Sequence, residues 1–152
     1  EKFYTNNERV VYGGGGITPD WKLELPEMTD LQQKLALKGI FFSFAIHYAA
    51  YHDVNDNFMV DQQVMNEFKD FAAEKEVEIN EQNWTPENID FVKTGIRREI
   101  FRKLHGTEGA YLATLPDDEE FQKVLKLFKE TGSLNEMFEY VEKLEDEGAD
   151  EK

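Results

Sequence analysis

Residues able to do chemistry are few in this chain. It has two serines, three histidines and no cysteine. A serine nucleophile needs a base within hydrogen-bond reach and an oxyanion hole. Ser43 lies between Phe42 and Phe44 in a helical stretch, a poor place for an accessible nucleophile, and Ser133 stands where it opens a helix. Neither sits in a motif that supplies the other two parts. The chain is expected to hold no catalytic residue of its own.

Metal and phosphate chemistry are equally thinly served. His47 and His52 are five apart and so do not share a helix face as an i, i+4 pair would; His105 is remote from both. Asp53, Asn55 and Asn57 occupy the first, third and fifth positions of a calcium loop. The sixth, ordinarily Gly, is Phe58, and the twelfth, ordinarily a bidentate Glu, is Val64. The reading is a polar interhelical loop, with calcium binding as the alternative. The run Gly13 to Gly16 is followed by Ile17-Thr18-Pro19, not by the Gly-Lys-Ser/Thr that ends a phosphate loop, so it reads as a tight connection. Arg97, Arg98, Arg102 and Lys103 form a basic cluster. It could dock an acidic partner, although such clusters more often pair with neighbouring carboxylates. Neither a cofactor nor a metal is expected.

The whole chain limits partners further. Its 152 residues carry a formal charge of −15, which repels a phosphate backbone and an anionic membrane surface. Apolar residues make up 40% and aromatics 13%, enough for a packed core. The most apolar run, Ile40 to Ala50, is too short to cross a bilayer, so no membrane insertion is expected. Glu1 is neither an initiator Met nor the start of a signal peptide, which reads as a processed or excised piece.

The elements that must position these residues change character near Pro26. Before it, Arg9-Val10-Val11-Tyr12 is β-rich and Trp21 to Leu25 alternates with period two. Two short strands make no stable sheet alone, so this segment wants a partner sheet. After it the chain is helical. A first helix is expected from about Asp30 to Tyr51, capped by Thr29, with Leu37, Phe41, Phe44 and Tyr48 on one face. A second begins near Asp61 with the stripe Val64, Phe68, Phe71. Thr85 caps a third and Pro86 takes its first position; Ile89, Val92, Ile96 and Ile100 line it and Gly106 stops it. Asp117 and Glu120 open a fourth, with Phe121, Val124, Leu125 and Phe128 on its face. Ser133 and Glu136 form a capping box for a fifth, which carries Leu134, Phe138 and Val141. The fold class is mainly α: a bundle of about five helices preceded by a short β segment.

The segment from Tyr4 to Asp20 resembles a signature of the carboxy-terminal processing (tail-specific) serine proteases, in which Y-T-P-S-G-R and a strand precede G-x-G-I-x-P-D. Tyr4, Thr5, Arg9, Gly14, Gly16, Ile17, Pro19 and Asp20 match, whereas Asn6-Asn7-Glu8 replaces the family's Pro-Ser-Gly. The motif covers about a seventh of the chain, and its Tyr-Gly-Gly-Gly-Gly-Ile form is similar to one bacterial branch. The helical part resembles that branch's C-terminal extension in pattern only.

The resemblance implies a parent endopeptidase that cuts near protein C-termini with a Ser–Lys pair. Both residues would lie upstream of this chain, in the bacterial periplasm or cell envelope. Residues 1–26 would then complete the protease domain, and 27–152 would be a helical accessory domain. Expected partners are the protease core of the same parent chain, a second copy, or a protein substrate or adaptor.

Overall fold

The computed structural model describes residues 2–4, 10–14, 19, 21 and 27–149. It is mainly helical, with a short antiparallel β pair before the helices. The chain forms two compact units, one of Pro26–Gln122 and one of Glu1–Leu25 with Lys123–Lys152.

The larger unit contains α1 (Asp30–Leu37), α2 (Ile40–Tyr51), α3 (Gln62–Glu74), α4 (Pro86–Thr114) and a short 3-10 turn (Leu115–Asp117). Thr29 caps α1 through a complete capping box with Gln32. The single helix expected from Asp30 to Tyr51 is broken, because Gly39 takes a left-handed conformation (φ 59°). The break swings Leu37 away from the face of Phe41, Phe44 and Tyr48 and leaves it 87% exposed. Gly is the one residue type that adopts this conformation without a steric cost.

α3 begins where expected. The Asp61 side chain accepts from the Val64 N–H, and Val64, Phe68 and Phe71 are buried. It ends in a Schellman motif, in which Val77 N–H donates to Ala72 O and Glu76 N–H to Ala73 O. Glu76 holds the left-handed position (φ 59°) usually given to Gly. Lys38, at the end of α1, donates to the Lys75 and Glu76 carbonyls at 2.8 and 3.2 Å, so a cation covers the negative end of α3.

Thr85 and Pro86 start α4 as expected. Val92, Ile96 and Ile100 are fully buried against Phe41, Phe44 and Phe68 in one aromatic-aliphatic core. Phe68 stacks on Phe41 with centroids 5.4 Å apart and meets Phe44 edge-on at 5.1 Å. The close approach of α2 and α4 depends on Gly95: a Cβ there would lie 2.6 Å from the Phe41 ring.

In the other unit β1 (Lys2–Tyr4) pairs with β2 (Val10–Tyr12), Phe3 opposite Val11. β1 carries no period-two signal strong enough to read from three residues. The alternating stretch after Trp21 lies outside the described residues. α5 (Glu119–Glu130) and α6 (Leu134–Ala149) are the last helices. The cap of α5 is Asp118, which accepts from the Phe121 N–H, and not Asp117, which lies in the 3-10 turn. At α6, Ser133 accepts from Glu136 N–H, but the Glu136 carboxylate accepts from Gly132 N–H, one residue before the expected capping-box partner.

Candidate functional site

Of the eight signature residues, Tyr4, Gly14 and Pro19 are described; Thr5, Arg9, Gly16, Ile17 and Asp20 lie outside the described residues. Tyr4 sits opposite Val10 in the hairpin. All six strand residues are exposed, among them the large side chains Phe3, Tyr4, Val11 and Tyr12. Gly13 is held against Phe3, whose ring would lie 2.5 Å from a Cβ at that position. A two-stranded ribbon with no covered face has little to hold it.

The histidines serve three separate places. The His47 ring lies within 5.2 Å of Phe71 and 5.1 Å of Tyr51. His52 stacks flat on Tyr48 at 4.0 Å, with Nδ1 3.1 Å from the Tyr48 carbonyl and Nε2 3.5 Å from Glu67. His105 Nε2 is 2.5 Å from Asp56 Oδ1. In the loop read as a possible calcium site, Asn55 Oδ1 accepts from the Asn57 N–H, closing a polar turn, and Asp56 is engaged by His105. Among the described residues no three His, Cys, Asp or Glu side chains gather as a metal site. Burial, reinforced by the Glu67 and Asp61 carboxylates, raises the Tyr48 phenol above its usual pKa.

The basic cluster is largely used internally. Arg98 and Arg102 each place Nε 3.0 Å from one oxygen of the nearly buried Glu99, and the Arg97 guanidinium pairs with Asp117. Arg97 Nε is buried without a hydrogen-bond partner among the described residues.

That Arg97–Asp117 pair discloses a feature the sequence reading missed. Twenty residues of straight helix would put their ends about 30 Å apart. The chain therefore doubles back between them, and Gly106 is the non-helical residue inside α4 (φ 68°, ψ −158°). Gly106 stops the helix, as expected, but a second helical arm starts at once. Gly109 packs so closely on the first arm that a Cβ there would lie 2.8 Å from the Phe101 carbonyl oxygen.

Two clefts flank the bend. One, of about 340 Å³, is mostly apolar; Phe101, Gly109, Leu112 and Ala113 line it, with Asp56, His105 and Glu108 at its edge. None of these carries a hydroxyl or thiol, so the Asp56–His105 pair has no nucleophile to activate. The other, of about 580 Å³, is lined by Asp90, Lys93, Thr94, Arg97, Asp117 and Glu119 among others, so that three carboxylates face two cations. Neither brings together a nucleophile, a base and an oxyanion hole.

No protein-family model, curated protein or solved structure matches the chain. Among the described residues no helix is long and apolar enough to cross a membrane.

Proposed function

We propose that this chain is the C-terminal region of a carboxy-terminal processing serine protease, with the catalytic Ser and Lys upstream of Glu1. In this reading residues 27–152 are an accessory domain that stabilises the core, self-associates or receives a substrate or adaptor. The parent would cut near protein C-termini in the bacterial periplasm or cell envelope. The observation that carries the reading is the hairpin. Among the described residues, the strand that precedes the glycine run, Val10–Tyr12, pairs with one other, and all six residues of the pair are exposed. A strand pair of this kind gains stability by joining a larger sheet, and the protease sheet is the partner that the resemblance supplies.

Reading the coding sequence upstream of Glu1 tests this directly. An open frame with a Ser motif and a later strand-borne Lys supports it, and a start codon close to Glu1 sinks it. If the parent is found, removing residues 27–152 and following cleavage of a substrate with a free C-terminal tail measures what the helices add.

A second reading, a non-catalytic interaction domain, is favoured by α2. This helix is apolar on its outer face as well, where Phe42 is 59% and Ile46 50% exposed. An upstream frame without the Ser and Lys would favour it.

A further inference from the structure

We propose that α4 is a hinge that opens at Gly106, letting two copies of this chain exchange the segment that follows it. The inference does not depend on the protease reading.

The connector between the two arms of α4 is a single residue. Gly106 occupies a region of backbone space open essentially to glycine alone. A hinge this short and this constrained is the kind from which chains exchange elements. Apart from Gly106, α4 is helical from Pro86 to Thr114. Moving one residue into helical geometry would therefore make one rod of about 43 Å.

The contacts that hold the bend are symmetric about it. Gly109 against Phe101 and Asp117 against Arg97 have their midpoints at residues 105 and 107, on either side of Gly106. Two straight helices crossing antiparallel at Gly106 would make the same contacts between chains. Gly109 and the buried Ala110 would then sit on the partner's first arm, and each Asp117 would meet the partner's Arg97. The exchanged form re-makes these two contacts between chains. What favours the bent form is the entropy of staying a monomer and the poor helix propensity of Gly.

The chain has no cysteine, so two single variants test the exchange. Arg97→Cys and Asp117→Cys chains are mixed at high concentration and oxidised. Exchange joins them in a disulfide heterodimer that keeps one native Arg97–Asp117 pair across the interface. A Lys34→Cys chain mixed with Arg97→Cys sets the level of random collision. Gly106→Ala, which disfavours the bend and favours the rod, should raise the dimer association constant about tenfold or more by light scattering. Heterodimer above the control level, increased by Gly106→Ala in both chains, is the expected result. Heterodimer at the control level in the native-hinge mixture overturns the proposal, whether or not Gly106→Ala folds. So does a Gly106→Ala chain of unchanged helicity that stays monomeric.

Discussion

Three residues hold positions against their own preferences, and each gives a measurable consequence. Glu76 bears the left-handed C-terminal position of α3, which costs a non-glycine residue about 1–2 kcal/mol. Glu76→Gly should therefore raise stability, by about 1 kcal/mol once the more flexible unfolded chain is counted. The Lys38 contact to the Glu76 carboxylate is exposed and 3.7 Å long, so little is lost with it. Urea titration of the two chains checks this. Tyr48, raised above the ordinary phenol pKa by burial and then by Glu67 and Asp61, holds its proton more tightly folded than unfolded. Its contribution is complete below about pH 10, the unfolded value. It is lost as pH rises from there through the folded value. Tyr48→Phe should flatten the fall in denaturation midpoint as pH rises above about 10, with little change at pH 7. Gly95 faces the Phe41 ring at less than contact distance for any side chain. Gly95→Ala should destabilise by about 1–3 kcal/mol through overpacking, offset in part by Ala's better helix propensity.

Among the elements, legibility followed the strength of local signals. Thr85-Pro86 and Asp61 are caps whose chemistry is complete within three residues, and both helices start where they should. Val64, Phe68, Val92, Ile96 and Ile100 repeat at helical spacing, and all are buried. Apolar spacing continues across Gly39, so only its backbone angle reveals the break. β1 carries no sequence signal, because three residues cannot establish a period. The outer face of α5 shows the converse. Phe121 and Phe128 read as a core stripe, yet they are 38% and 60% exposed, since a periodic stripe reports what a helix can bury, not what meets it. The doubling back at Gly106 was illegible for another reason: its evidence is a contact between residues twenty apart. One tie between elements had no sequence signal at all. The Thr29 hydroxyl donates to the buried Asn88 Oδ1 at 2.8 Å, and Asn88 Nδ2 donates to the Asn83 carbonyl. Asn88→Ala should cost about 1–3 kcal/mol by stranding these partners, and a double-mutant cycle with Thr29→Ala should show coupling between the starts of α1 and α4.

At the scale of the molecule, the main core lies wholly within Pro26–Gln122. A chain of residues 26–122 should therefore unfold cooperatively by itself, with a single transition seen by both circular dichroism and Trp84 fluorescence. Non-coincident transitions would show that this unit needs the rest of the chain. Of the signature residues that are described, Tyr4, Gly14 and Pro19, none contributes to that core. Selection on the hairpin and on the core should differ as well. The Phe41 ring resting on Gly95 is a knob in a notch, and neither half can change alone without a gap or a clash. Across the lineage of this chain, positions 41 and 95 should covary, a bulkier residue at 95 accompanying a smaller one at 41, while the exposed hairpin drifts with whatever surface it meets.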